Sequence, residues 1–362
     1  RLEKNGPYGN PNSSHFHGVS IMGAMNKARN ICAEVLGAKP EQLIFNSGAT
    51  EGISNIFHSI LNQNELEKKN IIIVSGIEHA SIYNNLKYLE SKGYLVKVIK
   101  TESNGVINLS HLSELIEKYN RNIALVTAMA ANNESGVIQP YKEISSLCHE
   151  HSIEYFCDST QIIGKAPFSF QESNADYAVL SGHKIGALPG TGLMLIKNPD
   201  QFFPMIIGSG QEGGLRGGTQ NYLGNETLAV ALNYFNQNLG KLDQLQKYRN
   251  YFEQKLQNDF PELVIIGQNG PRLAGTSFLC HPGIHGQAIQ IELESDDIFI
   301  TTSSACSDNE PMTSKVLKSM GVNDKLGRSA IRISLGTSST EADYESIYQS
   351  LKKAYLKLSE IK

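Results

Sequence analysis

The chain has 362 residues, too many for one small domain and enough for a large domain with a smaller one beside it. Apolar residues make up 40%, charged residues 19% and the net charge is −4, which fits a globular protein and gives no reason to expect a polyanion partner. The longest apolar runs, such as Ile71–Val74, are far too short to cross a bilayer, and no positively charged then apolar signal segment follows the first residue, Arg1.

In chain order, a helical pattern runs from about Ile21 to Leu36, then a short strand covers Gln42–Asn46 and a Ser-Gly-Ala-Thr turn opens a second helix. Strand Asn70–Ser75, helix Ser81–Lys92, strand Tyr94–Ile99, helix Leu109–Lys118 and strand Ile123–Ala128 follow. Helix Lys142–His151 leads to strand Glu154–Cys157, and strands Tyr177–Leu180 and Gly192–Ile196 come next. Short apolar runs separated by helical patterns predict an α/β fold with a mainly parallel sheet flanked by helices. From about Leu228 the character changes: a long polar helix, Asn233–Asp259, precedes short strands near Val264–Ile266 and Gly275–Cys280 and a last helix at Glu341–Leu358. The predicted division is a large domain at 13–230 and a smaller α+β domain from 1–12 and 231–362.

Of five cysteines, Cys32 and Cys148 lie on helical apolar stripes, and Cys157 and Cys280 lie in strands, all positions of a core. No pair has a CxxC or zinc spacing, so no metal site is expected. The odd count argues for a reducing, cytoplasmic setting rather than a disulfide framework. Cys306 differs, because Ser, Thr, Asp and Asn surround it in a polar stretch that reads as an exposed loop.

Ligands of such sheets bind at the C-terminal ends of strands. There, Ser47-Gly48-Ala49-Thr50-Glu51 leaves a strand and opens a helix, an arrangement that suits a phosphate or a plain helix cap. Asp158 ends a strand and could keep a pyridine nitrogen protonated, with Gln161 three residues on; as a cap it would be unremarkable. Ser181-Gly182-His183-Lys184 places an amine at a strand end, where it could form a Schiff base. The run Gly208–Gly213 matches G-x-G-x-x-G, but it sits late in the chain and is followed by more glycine instead of a helix; it reads as a mobile loop.

Asn46–Glu51, Asp158–Gln161 and Ser181–Lys184, together with Gly9–His15, Glu78-His79, Asn132–Gly136, Gly217-Gly218-Thr219, Ser304-Ala305-Cys306 and Ile331–Gly336, resemble the cysteine desulfurases. That group lies within the class V aminotransferase family, pyridoxal-phosphate (PLP) enzymes of fold type I, and the resemblance covers nearly the whole chain. It implies that Lys184 carries the cofactor and that Gly48, Ala49, Thr50, Ser181 and His183 hold its phosphate, joined by Thr219 from the second subunit of a homodimer. It implies that Asp158 pairs with the pyridinium and Gln161 with the ring oxygen, and that His79 stacks on the ring and moves protons. Asn133 and Arg332 would hold the carboxylate of L-cysteine, and Cys306 would take its sulfur as a persulfide for an acceptor protein, leaving alanine. Iron–sulfur cluster assembly or other thio-cofactor and nucleic-acid sulfur supply would be the destination, with no direct nucleic-acid or membrane contact. Three features depart from the family pattern. Its Ala-Thr-Thr strand does not occur ahead of Arg1, its Arg-Ser-Gly-Thr reads Arg216-Gly217-Gly218-Thr219, and the interval from Cys306 to Pro311 is shorter than in the housekeeping type. A selenocysteine lyase, another class V aminotransferase, or a sulfur-relay scaffold without turnover remain open as other readings.

Overall fold

The computed structural model describes residues 9–63, 69–302 and 313–360. They divide into two compact units, one drawn from Arg1–Ile99, Leu109–Ala130 and Pro140–Gln237, the other from Lys100–Asn108, Ala131–Gln139 and Asn238–Lys362.

The first unit runs α1 (Phe16–Val35), β1 (Leu43–Asn46), α2 (Ala49–Gln63), β2 (Ile71–Ser75), α3 (Ala80–Glu90), β3 (Leu95–Ile99), α4 (Leu109–Tyr119), β4 (Ile123–Thr127), α5 (Tyr141–Glu150), β5 (Tyr155–Asp158), β6 (Tyr177–Ser181), β7 (Gly192–Ile196) and α6 (Tyr222–Gln237). Its seven strands form one sheet in the order β1-β7-β6-β5-β4-β2-β3, and only β7 runs against the rest. Strands β2, β4 and β6 are buried at every position, which is why they read as unbroken apolar runs instead of alternating. The edge strand β3 leaves Leu95 and Val98 half exposed. Helix α2 presents Ile53, Ile56, Phe57 and Ile60 to the sheet at helical spacing. Each such buried side chain contributes about 2 kcal/mol.

The second unit runs α7 (Leu242–Asp259), β8 (Val264–Ile265), β9 (Thr276–Cys280), α8 (Gly286–Glu294), β10 (Thr301–Thr302), β11 (Ala330–Ser334) and α9 (Glu341–Glu360). Its sheet is antiparallel throughout, in the order β10-β11-β9-β8. Leu256, Leu279, Ile289, Leu293, Ile331 and Leu351 form its core. Buried in the same unit, Glu253 accepts two bonds from Arg272 (2.8 and 2.7 Å) and one from the Ser277 hydroxyl (2.7 Å).

Two features depart from the sequence expectation. The long helix Asn233–Asp259 is two helices: α6 ends at Gln237 and α7 starts at Leu242, after a turn at Leu239–Lys241. Asn238 and Gly240, both poor helix formers, sit at the break. The second unit also takes in residues 100–108 and 131–139 from the N-terminal half, whereas residues 9–12 belong to the first unit. Backbone bridges Thr101↔Ile107, Ala131↔Ile138 and Val137↔Arg272 hold those two excursions, and no composition shift announces them.

Candidate functional site

The C-terminal ends of β1, β2, β4, β5 and β6 share one edge of the large sheet, and the sequence-predicted cofactor residues gather on it. Gly48 adopts φ +146°, where a side chain is strained, and passes the chain from β1 into α2. Its N–H donates to Asn46 Oδ1 (2.9 Å), and the Ala49 N–H donates to Ser181 Oγ (2.8 Å) at the end of β6. Gly192, the first residue of β7, lies between them; a Cβ there would come within 2.5 Å of Gly48 Cα and 2.3 Å of the Leu180 carbonyl oxygen. The turn after β1 and the end of β6 are therefore flush. Thr50, exposed, stands in the first turn of α2, where peptide dipoles favour an anion.

Asp158 closes β5 and is 5% exposed. The Thr160 N–H donates to its Oδ1 (3.0 Å). Burial raises its carboxyl above the ordinary value, and the Thr160 bonds and the His79 charge pull it only part of the way back. His79 caps α3: its Nδ1 accepts the Ser81 N–H (3.2 Å) and lies 2.7 Å from the Ser81 hydroxyl. With Nδ1 accepting, Nε2 is the ring nitrogen left to carry a proton. Gln161 Oε1 accepts from the Lys165 ammonium, which fixes the amide's orientation.

After β6 a 3-10 turn, Gly182–Ile185, carries His183 and Lys184, both exposed. The Gly182 N–H donates to the Thr191 carbonyl (2.8 Å) and closes the base of this loop. Partial burial and the neighbouring Lys184 charge push the His183 imidazole below its ordinary value.

The Gly-rich loop is pinned, contrary to the expectation of a mobile segment. Glu212 sits at φ 51°, and its carboxylate accepts two bonds from Arg29 (2.8 and 2.7 Å) and one from the Phe45 N–H (2.9 Å). Arg216 makes two bonds to Glu51 (2.8 and 3.2 Å), which lies next to Thr50. Burial alone would raise the Glu51 carboxyl, but bonds from Arg216 and Ser47 and the Arg216 charge hold it below the ordinary value. Thr219, exposed, follows three residues after Arg216. The motif of repeated glycines thus marks a braced loop, with Gly217 packed so closely that a Cβ would meet Gly208 Cα at 2.6 Å.

In the second unit Arg332 lies on β11, paired with Thr301 of β10 and Phe278 of β9. Its Nη1 donates to the Asn133 carbonyl, so the two expected carboxylate-binding residues stand together. Asn132 Oδ1 shapes the intervening turn by accepting from the N–H groups of Glu134 and Ser135 (both 2.9 Å). Cys306 lies outside the described residues. The other four cysteines are buried free thiols, as expected, and burial pushes the Cys32 and Cys280 thiols up to about 12 and those of Cys148 and Cys157 higher still.

Sequence reasoning gave no role to Glu78, which is buried beside Asp158, or to Glu212. A charged residue between buried Ile77 and the cap His79 was the available signal for Glu78; nothing local distinguishes Glu212.

The model of the family described as aminotransferase class V matches residues 3–347. The chain is 33% identical over 342 residues to a protein named cysteine desulfurase 2 from Trichormus variabilis, covering 94% of this chain and 85% of that protein. It is 33% identical over 347 residues to a cysteine desulfurase named IscS from Rickettsia typhi, covering 93% and 82%. Among solved structures, one titled NifS-like protein superposes with a TM-score of 0.90 at 33% identity, over 99% of this chain and 94% of that one.

Proposed function

The chain belongs to the class V aminotransferase family and is a cysteine desulfurase, and from that premise we propose that it works with pyridoxal 5'-phosphate held on Lys184. When bound, this cofactor supplies a carbonyl carbon that condenses with amines and a ring that draws electrons from the substrate Cα. The residues at the strand edge fit the group. The turn at the start of a 15-residue helix places the exposed Thr50 hydroxyl in the first helical turn, where the peptide dipoles favour a phosphate. A buried carboxylate held by backbone amide and hydroxyl, not by a strong cation, suits a pyridinium. An exposed lysine amine stands at the neighbouring strand end. The observation that carries the reading is the flush packing of the β1 turn against the end of β6, because it joins the phosphate turn to the loop bearing Lys184.

The residue roles follow from chemistry. Thr50, Ser181 and His183 bind phosphate oxygens, and the lowered His183 acts as a neutral donor. Asp158 keeps the ring nitrogen protonated, Gln161 donates to the ring oxygen, and His79 lies against the ring with Nε2–H as its proton-carrying end. Arg332 and Asn133 orient the substrate carboxylate, for which a planar guanidinium offers two parallel bonds. The Lys184 amine would take the Cα proton and return it to the same carbon of the product. The Cys306 thiolate attacks the substrate sulfur; the Cβ–S bond breaks, its electron pair stays on carbon and is later protonated, and alanine and a Cys306 persulfide result.

The chain is also proposed to act as a homodimer in which Thr219 reaches the partner's phosphate, and to pass its sulfur to an acceptor protein in iron–sulfur or related sulfur supply. A cytoplasmic setting is proposed from the four buried free thiols. No helix among the described residues is long and apolar enough to cross a membrane. Borohydride reduction followed by peptide mapping tests the cofactor assignment. The pyridoxyl group is expected on Lys184, and finding it on Lys165 or Lys197 would refute the reading.

A further inference from the structure

At the same strand edge lies a second buried carboxyl, that of Glu78, to which the reaction as derived assigns nothing. Glu78 is 5% exposed, on the turn between β2 and α3, immediately before His79. Its Oε1 accepts the Met129 N–H (2.8 Å), just past the end of β4, and the Ser75 hydroxyl, at the end of β2. One carboxyl thus ties two adjacent parallel strands at their C-terminal ends. The next residue, Ala130, donates its N–H to the Asp158 carbonyl (2.9 Å). The β4 end is therefore clamped on one side by Glu78 and on the other by the strand that ends in Asp158.

We propose that Glu78 is a positioning residue whose uncharged carboxyl holds the His79 turn against the end of β4 and leaves Asp158 as the anion of the strand edge.

The geometry favours the uncharged form. Both recorded bonds go to Oε1, while Oε2 is buried with no hydrogen-bond partner. A carboxylate with one oxygen stranded in the core is costly, and a carboxylic acid much less so. The titratable groups that face it are Tyr83 on α3, Tyr155 and Cys157 on β5, and Asp158. None of these is a cation that could stabilise a second negative charge. Burial, foremost, and the Asp158 charge push the Glu78 carboxyl up to about 8, against the bonds from Ser75 and Met129. Tyr83 braces the same turn by donating its hydroxyl to the Ser75 carbonyl (2.9 Å). A neutral acid here also leaves Asp158 as the one carboxylate of this pair, matching one pyridinium.

The sign of the pH effect follows. An unfolded Glu releases its proton near pH ~4.3, whereas folded Glu78 holds it to about 8. The folded state therefore binds the extra proton in that window. The stabilisation is complete below the unfolded value and is lost as pH rises through the folded one. Glu78→Gln keeps the size and the accepting oxygen and cannot ionise.

The His79 part of this inference rests on the cofactor reading; the charge-state part does not. The test compares the full chain, loaded with pyridoxal phosphate, with its Glu78→Gln and Glu78→Ala forms. Thermal midpoints are measured from about pH 6 to about pH 9, and kcat and KM for cysteine at neutral pH. Glu78→Gln is expected to keep kcat within about threefold of the native chain, and its midpoint to gain on the native one as pH rises to about 8 and to hold a constant lead above it. Glu78→Ala is expected to lose about tenfold or more in kcat with KM changed far less. If Glu78→Gln is as damaging as Glu78→Ala, or if its midpoint runs parallel to the native one across the whole range, the proposal is overturned. A pyridoxyl group mapped away from Lys184 would remove the cofactor reading but leave the midpoint comparison intact, so the two failures are distinguishable.

Discussion

At the scale of single residues, burial sorts the ionisable groups into those that can react and those that cannot. A thiol raised to about 12, as in Cys32 and Cys280, has almost no thiolate at neutral pH, and the higher values of Cys148 and Cys157 leave even less. Brief exposure of the loaded protein to cysteine should therefore add sulfur to the peptide containing Cys306 and to no other, as read by mass spectrometry. Added sulfur on Cys280 would return the choice to a lyase or transaminase. Asp158 poses the opposite question, since burial raises its carboxyl and a pyridinium beside it would favour the anion. Asp158→Ala should retain some cofactor while losing most turnover. Removing a charge-assisted bond costs about 1.5–3 kcal/mol in binding, roughly 10- to 150-fold, and more where charge develops in the reaction. Unchanged turnover would remove Asp158 from the mechanism.

At the scale of elements, the loops are held as tightly as the strands they join. Glu212→Ala would strand the Arg29 guanidinium and the Phe45 N–H in the protein, and a broken buried pair costs about 3–5 kcal/mol. Chemical denaturation should show a loss of that order, and a loss under about 1 kcal/mol would mean the loop is held by other contacts. Gly192→Ala is expected to weaken cofactor binding more than overall stability, because its Cβ would be driven into the phosphate turn. Equilibrium titration with pyridoxal phosphate against an unfolding curve separates the two. Much of this architecture was legible beforehand, since the apolar runs of β2, β4 and β6 and the periodic face of α2 report burial directly. The placement of Lys184, Asp158 and Thr50 on one edge was legible because each falls where an apolar strand stops. The break between α6 and α7 was not, because polar helix and polar turn share a composition there. Glu212 was invisible because its partners, Arg29 and Phe45, lie far away in the sequence.

At the scale of the whole molecule, the first unit leaves large apolar side chains in the open on neighbouring helices, which pack against each other as α1 and α6. Phe16 and Val19 on α1 are 81% and 60% exposed, and Val230 and Tyr234 on α6 are 69% and 52%. Such surfaces mark association sites, and a second copy of the chain is the proposed occupant. Mixing a Lys184→Ala protomer with a Thr219→Ala protomer should restore activity, because each mixed dimer then contains one intact site. Full activity in a species that sediments only as a monomer would contradict this.

The two excursions into the second unit also set a timetable for biosynthesis. The segment 131–139 is completed by a strand-like partner at 271–273: Ile138 donates to the Pro271 carbonyl (2.7 Å), and Leu273 to that of Gly136 (2.9 Å). At 5–20 residues per second, a ribosome takes roughly 7–27 s to deliver that partner. During this interval Gln139 can serve as a placeholder, since its Oε1 accepts the Ile107 N–H and its Nε2 donates to the Gly105 carbonyl (both 2.9 Å). One amide thus staples the early excursions to each other while both wait on the nascent chain, and neither unit can be made as one uninterrupted stretch of coding sequence.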